Sequence, residues 1–448
     1  MHNTPSKYQL ICGMEVHIEL KTKSKMFCGC KNDPFGAAEP NIYTCPVCLG
    51  MPGALPVPNK KAIEWTLKLG LALHCKINLF SKFDRKHYLY PELPKGYQIS
   101  QYDIPFCYDG YIKTSQGRVG ITRIHLEEDT GKLQHTTIQG EKVSLIDFNR
   151  SSVPLVEIVT EPDIHSGEQA KEYGKKLRDL VRYLDIADCD MEQGGMRLEA
   201  NTSLQLSEVA RTTPDLLPNY KVEVKNINSF RFLEQAIKFE ADRQALILDK
   251  GETPTQETRG WNSLKSETFA QRSKESAEDY RYFPDPDIPP IHFTQAQIDA
   301  LQAELPELPE IVIARWENEF GIEPRYSELL LSQTEYRAVW EGLFSTSKKD
   351  QLNTNQLASL IVNKKISLSL DTAILISAFK AQTTTTSIDE SELAGVISSV
   401  IAENPNEVSL YKAGKINVLN FFIGQTMKKI GKKIDTALVK TELEKGLR

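Results

Sequence analysis

Strict alternation of apolar and polar residues between positions 8 and 20 constrains the fold of this chain more than any other feature. A period of two places successive side chains on opposite faces of a β-strand. One face then carries Met14, Val16, Ile18 and Leu20, and the other carries Glu15, His17 and Glu19. Similar stretches follow: GRVGITRIHLEED, VSLIDFN, VPLVEIVTE, MRLEANTSL and KVEVKNI. They predict a sheet with one apolar face.

Helical spacing interrupts these strands over about residues 168–186 and 229–250. The second segment stops at Gly251, a residue suited to the left-handed position that ends many helices. Several strands and few helices favour an α+β domain built on an antiparallel sheet with flanking helices.

The pattern becomes helical after Pro289-Pro290, where Thr294 and Gln297 form a T-x-x-Q capping box. Further helices are predicted over 295–304, 308–320, 327–345, 355–362 and 370–379. The threonine-rich stretch 383–387 predicts a linker. The sequence thus predicts an N-terminal domain over 1–293, an all-helical domain over 294–385 and a helical tail domain over 386–448.

Charge is distributed unevenly along the chain. The net charge is −6, which argues against nonspecific coating of nucleic acid. Residues 411–448 carry nine Lys/Arg and three Asp/Glu, or 9 − 3 = +6. This basic tail predicts either a local contact with phosphates or a solvated helix face.

The amino terminus is polar and lacks an apolar signal region. No apolar run approaches the roughly 18–20 residues of a membrane span. We therefore expect a cytoplasmic protein that does not associate with a membrane.

Four of the eight cysteines form a C-x-C…C-x-x-C frame, at Cys28, Cys30, Cys45 and Cys48. Two thiolates from each of two tight turns suit a tetrahedral structural zinc ion, so we predict a zinc knuckle over residues 28–48. Disulfides are the weaker interpretation in a cytosolic chain. The other cysteines lie among apolar neighbours and are predicted to be small buried residues.

Carboxylates on the polar strand faces are the main chemical signal. Glu15 and His17 share one face, and Glu157 interrupts the apolar run VPLVEIV. A carboxylate in an apolar strand is costly to bury unless it is paired or bound to a metal. Oxygen ligands with one imidazole suit Mg²⁺ or Mn²⁺, which a phosphoryl-transfer site requires. The alternatives are a solvated strand face and a structural histidine.

Several common catalytic motifs are missing from the sequence. It has no GxxxxGK[ST] loop and no GxGxxG after a strand, so a nucleotide would bind through another architecture. It also lacks a Ser-His-Asp or Cys-His signature and an amidase segment, so we expect no release of ammonia from glutamine. Two loops rich in Arg and aromatic residues, DRKHYLYPELPKGYQIS and RSKESAEDYRYFPDPD, predict either contact with RNA ends or packing between domains.

Long stretches carry a family resemblance: GMEVHIELKTKSKMFCGC, FDRKHYLYPELPKGYQISQYD, HLEEDTGK, KVEVKNINSFRFLEQAIKFE and AENPNEVSLYKAGKINVLNFFIGQTMKK. Together they cover nearly the whole chain. The sequence resembles the GatB family, which supplies one component of the tRNA-dependent amidotransferase complex GatCAB. The resemblance implies that the N-terminal α+β domain is the family's cradle domain.

The resemblance implies a two-step reaction. ATP phosphorylates the side-chain carboxylate of Glu or Asp mischarged on tRNA(Gln) or tRNA(Asn), and ammonia then displaces the phosphate. It implies as partners the amidase subunit GatA, which makes the ammonia, the small subunit GatC, and mischarged tRNA, with its acceptor end at the cradle and its body at the tail domain. Which of the two tRNA substrates is used stays open.

Site residues follow from the matching motifs. The resemblance implies Mg²⁺ ligands and catalytic residues at Glu15, His17, Glu128 and Glu157, and cofactor-binding residues at Glu127, Glu199 and Lys225. Strict alternation would place Glu127, not Glu128, beside His125, so Glu128 requires a bulge or a strand end. The family string R-C-D-A-N is RLEAN here, which puts the role of Glu199 in doubt. Zinc is expected to support structure and not chemistry.

The leading interpretation is thus a subunit of a carbon–nitrogen ligase that uses glutamine as the amido donor. Two other functions are alternatives to it. A noncatalytic, zinc-stabilised tRNA-binding scaffold would have no need for buried acids. A stand-alone amide ligase for a small acid would need its own ammonia source and has no evident use for a basic tail.

Overall fold

A computed structural model describes residues 7–213, 215–273, 280–383, 388–431 and 434–447. The chain divides into two compact units, Met1–Val312 and Ile313–Arg448. The first unit extends beyond the predicted boundary at residue 293. The predicted boundary between residues 385 and 386, and most of the predicted linker, lie outside the described residues, so the three-domain division stays a prediction.

The first unit contains all the strands of the described chain. They are β1 Tyr8–Glu19, β2 Lys76–Ile77, β3 Phe80–Ser81, β4 Asp84–His87, β5 Tyr97–Ser100, β6 Cys107–Thr114, β7 Gly117–Glu128, β8 Lys132–Ile138, β9 Glu141–Asp147, β10 Pro154–Thr160, β11 Met196–Leu206, β12 Val222–Ile227, β13 Glu257–Asn262, β14 Glu267–Ser273, β15 Phe283–Pro284 and β16 Ile291–His292. Nine of these described strands form one sheet in the order β14-β13-β12-β11-β1-β10-β7-β6-β2.

The helices of the described chain are α1 Lys60–Ala72, α2 Gly167–Tyr183, α3 Ser207–Thr212, α4 Phe230–Asp249, α5 Gln295–Ala303, α6 Pro309–Phe320, α7 Pro324–Leu331, α8 Arg337–Lys349, α9 Thr354–Val362, α10 Thr372–Thr383, α11 Glu390–Glu403, α12 Pro405–Lys412, α13 Val418–Ile430 and α14 Thr436–Leu447. These elements confirm a mixed α+β fold with a large sheet and a helical C-terminal region.

Strand β1 lies in the middle of the large sheet and keeps the predicted alternation. Met14, Val16 and Ile18 are buried in the hydrophobic core. They share this core with apolar side chains of α1, α2 and α4, such as Leu67, Tyr173 and Leu233. The opposite face of β1 is therefore available for polar side chains, as the sequence predicts.

The two predicted helices of the N-terminal region are confirmed as α2 and α4. Ser166 and Ser229 cap their first turns through side-chain hydrogen bonds. Gly251, after α4, has a φ of +80°. Helix α1 was not predicted; it begins after Asn59, whose side chain accepts from the amides of Lys61 and Ala62.

Three local predictions need correction. The sheet is antiparallel except for the parallel pair β12 and β13. The predicted helix over 327–345 is two helices, α7 and α8, separated by a 3-10 turn at Thr334–Tyr336. Helix α5, with the predicted Thr294 capping box, belongs to the first unit, where Ile298 joins the main core.

The end of the second unit has its own small core. Leu393, Phe422 and Leu443, from α11, α13 and α14, are fully buried. Among the described residues of the whole chain, none of the helices combines the length and the apolar character required to cross a bilayer.

Candidate active site

The strand register brings polar side chains from five neighbouring strands onto one face of the sheet. On β1, Glu15 lies opposite Glu199 of β11, and His17 lies opposite Glu157 of β10. Glu157 in turn lies opposite His125 of β7. Glu15 and His17 thus share a face, as predicted, and Glu157 joins them.

Glu157 is the centre of a histidine–carboxylate cluster. Its Oε2 atom lies 3.3 Å from Nε2 of His17 and 3.2 Å from Nε2 of His125. Burial opposes ionisation of Glu157, but the two imidazoles, His125 foremost, hold the pKa of this carboxyl well below its usual range. Burial by itself would lower the pKa of His125, but the neighbouring carboxylates, Glu157 foremost, outweigh this effect and raise the pKa to about 9.

Glu127 completes this cluster from β7. Its Oε2 accepts a hydrogen bond from Ser100 Oγ at 2.8 Å and lies 3.6 Å from His125 Nε2. One ligand atom from each of His17, Glu127 and Glu157 lies within 4.8 Å of the others. Ligands about 2.1 Å from an octahedral Mg²⁺ are separated by about 3.0–4.2 Å. The 3.3 Å between His17 Nε2 and Glu157 Oε2 matches two neighbouring ligands of such an ion.

Glu128 lies on the opposite side of the strand. Strand β7 keeps strict register with β10 here, with Glu127 opposite Leu155 and Glu128 opposite Pro154. The Glu128 carboxylate accepts from the amide of Ile99 at 3.0 Å and pairs with Lys95 Nζ at 2.7 Å. The structure therefore does not bring Glu128 together with Glu15, His17 and Glu157. β7 forms no bulge here, and although Glu128 is the last residue of the strand, its carboxylate stays on the side of Lys95. A role of Glu128 as a metal ligand stays a prediction.

Glu15 belongs to a second, adjacent cluster. Carboxylate oxygens of Glu15, Glu199 and Glu223 lie within 4.8 Å of one another. Asn201 Nδ2 donates to Glu15 at 2.8 Å, and Lys225 Nζ lies 3.0 Å from Glu199 and 3.5 Å from Glu223. Burial, then the charges of Glu157 and Glu199, raise the pKa of Glu15. Apart from Glu128, the residues predicted to bind one metal thus fall into two groups that share one face of the sheet.

Lys225 lies within this acidic cluster. Burial would lower its pKa, but the carboxylates of Glu199 and Glu223 raise it. The ammonium is therefore charged, and it balances part of the negative charge of the cluster. The Glu199 carboxylate contacts this lysine directly.

Sequence reasoning missed a buried network at the end of β1. Arg197 Nη2 lies 2.5 Å from Asp129 Oδ2, and Arg150 Nε lies 3.7 Å from the same atom. Burial and the neighbouring Asp129 raise the pKa of Glu19 to about 9, which keeps this carboxyl protonated at neutral pH. Its position on the polar face of β1, two residues after His17, was the available signal.

Lys86 was also missed. Its Nζ lies 5.0 Å from the ring centroid of Tyr280 and 5.9 Å from that of Tyr88. Burial opposes its charge, but Glu127 and then Tyr282 raise the pKa of Lys86. A lysine inside the aromatic loop FDRKHYLY was the only sequence signal.

The two segments rich in Arg and aromatic residues were predicted to be loops, but the first contains β4 and β5 and the second contains β15. They pack against each other, and β15 pairs with β4. Arg85 of β4 pairs with Asp285 at 2.8 Å and lies 4.3 Å from the ring centroid of Tyr97. Residues 274–279 of the second loop lie outside the described residues. Packing within the first unit thus occupies part of both loops, and their predicted contact with RNA stays a prediction.

The four cysteines of the C-x-C…C-x-x-C frame converge. Their Sγ atoms lie within 4.8 Å of one another, and Cys45 Sγ and Cys48 Sγ are 3.9 Å apart. Sulfurs about 2.3 Å from a tetrahedral zinc ion are about 3.8 Å apart, so the arrangement fits this metal. A hydrogen bond from Cys28 and the charge of Lys25 lower the pKa of the Cys48 thiol to about 5, although burial raises it.

The remaining four cysteines, Cys12, Cys75, Cys107 and Cys189, are buried, as predicted. Burial raises the pKa of the Cys12 and Cys189 thiols to about 12. Such thiols are protonated and unreactive at neutral pH. They take no part in either cluster.

An open pocket continues from the acidic cluster along the same face of the sheet. Its cavity volume is about 360 Å³. Glu15 and Asn201 border it at one end, and Ile11, Leu217 and Gln256 also line it. Mixed apolar and amide walls beside a cluster of charges suit a ligand with both a ring system and ionic groups.

Comparison with known proteins places the chain in a family. The model of the GatB/GatE catalytic domain matches residues 10–299, and that of the GatB domain matches residues 344–447. The chain is 40% identical over 491 residues to the GatB-type subunit of the aspartyl/glutamyl-tRNA(Asn/Gln) amidotransferase from Thermomicrobium roseum, covering 99% of each chain. It is 41% identical over 499 residues to the corresponding protein from Dehalococcoides mccartyi, covering 98% of this chain and 100% of that one. Since these matches extend over most of the sequence, the chain belongs to the GatB/GatE family of amidotransferase subunits.

Proposed function

We propose that this chain is the subunit of a tRNA-dependent amidotransferase that activates and amidates the side-chain carboxylate of mischarged Glu-tRNA(Gln), Asp-tRNA(Asn) or both. The observation that carries the proposal is the buried cluster of His17, Glu127 and Glu157 on the polar face of the sheet. Burying two carboxylates together is costly, and a purely structural sheet has no need for it.

In this proposal His17, Glu127 and Glu157 hold Mg²⁺, and Glu15 borders the same site. Bound there, Mg²⁺ would neutralise the negative charge of the polyphosphate of ATP. The second imidazole, His125, fixes the Glu157 carboxylate through its contact at 3.2 Å. Glu127 thus takes the ligand role that the sequence assigned to Glu128.

The residues around the metal have separable roles. Lys225, which is paired with Glu199 and Glu223, would supply a positive charge for the phosphates of ATP. The pocket bordered by Glu15 and Asn201 would receive the nucleoside of ATP. Transfer of the phosphoryl group to the side-chain carboxylate of the aminoacyl-tRNA creates an acyl phosphate, from which phosphate is a better leaving group than oxide.

Ammonia must then reach the acyl phosphate. Because the sequence contains no amide-hydrolysing signature, the ammonia comes from an amidase subunit of the GatA type. In this proposal the chain forms a heterotrimer with the amidase subunit and a small GatC-type subunit. The complex acts in the cytoplasm. The basic C-terminal segment would contact the body of the tRNA, and the N-terminal cradle its acceptor end.

We further propose that Cys28, Cys30, Cys45 and Cys48 hold a zinc ion. These cysteines share no donor atoms with the histidine–carboxylate cluster, so zinc would stabilise the knuckle without entering the reaction.

Reconstitution tests the proposed activity. The chain, combined with amidase and small subunits of the same organism, should convert Glu-tRNA(Gln) or Asp-tRNA(Asn) to the amide only when ATP and glutamine are both present. Omission of glutamine should be overcome by ammonium ions. A complex that binds mischarged tRNA but forms no amide from either substrate would instead support the noncatalytic scaffold.

A further inference from the structure

Lys25 is a lysine buried beside the cysteine knuckle. Its side chain is 0% exposed, as is Cys48. Its Nζ donates to the carbonyl of Tyr43 at 2.7 Å and to that of Phe148 at 3.2 Å, and it lies 3.9 Å from Cys48 Sγ. Its backbone amide donates to the carbonyl of Cys30 at 3.0 Å. The residue therefore contacts the knuckle through both its main chain and its ammonium group.

The ammonium group has no carboxylate counter-ion. Within the described parts of the chain, no Asp or Glu oxygen lies within 4.0 Å of Lys25 Nζ. Two carbonyl dipoles satisfy hydrogen bonds, but they do not cancel a full charge in a dry interior. The nearest group that becomes an anion is the Cys48 sulfur.

A tetrahedral zinc ion with four thiolates has a net charge of −2, because each sulfur contributes one negative charge and the ion contributes two positive ones. We propose that Lys25 is the charge-balancing partner of this metal centre and a positioning residue for it. The inference rests on the zinc ion of the proposed function. The ammonium group of Lys25 halves the net charge of the zinc–thiolate centre. The negative charge of that centre in turn accounts for the burial of a lysine that has no carboxylate partner among the described residues.

The same side chain joins the knuckle to the sheet domain. Tyr43 belongs to the knuckle, whereas Phe148 follows β9. Ser151 strengthens this junction, since its Oγ donates to the carbonyl of Cys48 at 2.9 Å. A ligand set whose charge is partly balanced and whose base is held in place binds its metal more tightly than ligands on a flexible loop.

Lys25→Met tests the role of the charge, because methionine fills similar volume without it. We expect a 10- to 100-fold loss of zinc affinity, about the effect of removing a supporting group around a metal site. Ser151→Ala is the matched comparison, since it removes a neutral hydrogen bond to the same knuckle without removing a charge. Its effect on zinc affinity should be about fivefold, and smaller than that of Lys25→Met. Zinc affinity is measured on the purified complex that contains each variant, by competition with a coloured chelator.

Lys25→Gln separates charge from hydrogen bonding and also serves if the methionine variant does not fold. It keeps N–H donors for carbonyl groups but has no charge, and we expect a loss of affinity similar to that of Lys25→Met. Full zinc affinity in Lys25→Gln would overturn the inference and assign the lysine to carbonyl binding alone.

Denaturation of the zinc-bound and zinc-free proteins provides a second readout. The inference predicts that Lys25→Met reduces the difference in stability between the two forms, whereas a packing role would lower both equally. Equal lowering would overturn it. If the wild-type chain holds no zinc under any loading condition, the proposed metal itself fails, a result distinct from a wild-type zinc centre that is indifferent to Lys25.

Discussion

Two adjacent glutamates on opposite sides of β7 allow a direct test of the site. Glu127→Gln and Glu128→Gln are the same chemical change one residue apart. Glu127 contacts Ser100 and His125 on the polar face, whereas Glu128 forms a buried ion pair with Lys95. We expect the first variant to lose chemistry and the second to lose stability.

The structure sets the size of each effect. Glu128 is 1% exposed, and removing one partner of a buried ion pair costs about 3–5 kcal/mol, because the other charge is left uncompensated. In Glu127→Gln the amide oxygen still accepts from Ser100, but His125 and Lys86 lose a carboxylate neighbour. The loss of stability should therefore be about 1.5–3 kcal/mol, below that of Glu128→Gln. Loss of a metal ligand should remove about 3 kcal/mol of transition-state stabilisation, or roughly a 100-fold fall in rate.

Two measurements complete this test. Chemical denaturation of each variant gives its free energy of unfolding, and ATP hydrolysis stimulated by mischarged tRNA in the reconstituted complex gives its activity. The reasoning is refuted if Glu128→Gln loses hydrolysis at wild-type stability while Glu127→Gln remains active. That outcome would return the ligand role to Glu128.

Three further predictions concern other parts of the chain. Burial and Asp129 raise the pKa of Glu19 from 4.5 to about 9, so between these pH values the folded state holds a proton that the unfolded chain releases. The contribution of protonated Glu19 to the free energy of unfolding is therefore complete below about pH 4.5 and is lost as the pH rises to about 9. Glu19→Gln should therefore flatten the fall in unfolding free energy over that interval, and a pH series of denaturation curves that parallels wild type would contradict it. Cys45→Ser should release zinc and make the knuckle sensitive to limited proteolysis before distant segments are cleaved. Metal analysis and mapping of the first cleavage sites would check this. Retention of one zinc ion per chain would argue against Cys45 as a ligand. Deletion of residues 386–448 should raise the KM for tRNA and reduce the dependence of tRNA affinity on salt concentration, since fewer counterions are released; an unchanged salt slope would exclude this segment as the phosphate contact.

Local patterns predicted the elements that depend on short-range periodicity. The alternation of β1 correctly separates Met14, Val16 and Ile18 in the core from Glu15 and His17 on the polar face. The spacing of the knuckle cysteines correctly predicts their convergence. Each pair lies within one tight turn, so a single contact between the two turns brings all four sulfurs together. Both features can be read from a few consecutive residues.

Contacts across the sheet were harder to predict. Alternation already favoured Glu127 over Glu128. The motif-based placement of Glu128 beside His17 needs a bulge or a redirecting strand end, and β7 instead keeps Glu128 on the opposite side, against Lys95. Neither the contact of His125 with Glu157 nor the pairing of Arg197 with Asp129 has a local signal. These contacts follow from the register of strands that are distant in sequence, which hydrophobic periodicity alone does not fix.

The helical region shows the same limit. The apolar spacing of α7 and α8 is continuous enough to predict one helix, but the backbone forms a 3-10 turn at Thr334–Tyr336 between them. Trp340 Nε1 donates to the carbonyl of Leu330 at 3.0 Å across this break. Tertiary packing therefore decides where the first helix ends.

Transfer of labelled phosphate tests the central claim most directly. Complexes containing wild-type chain or Glu157→Gln are incubated with mischarged tRNA and ATP labelled at its γ-phosphate, without glutamine or ammonium. We predict that wild type forms a labelled, base-sensitive acyl phosphate at the side-chain carboxylate of the aminoacyl-tRNA, and that Glu157→Gln binds the tRNA with similar affinity but forms almost none. Equal labelling by the two complexes would contradict a phosphoryl-transfer site at the histidine–carboxylate cluster.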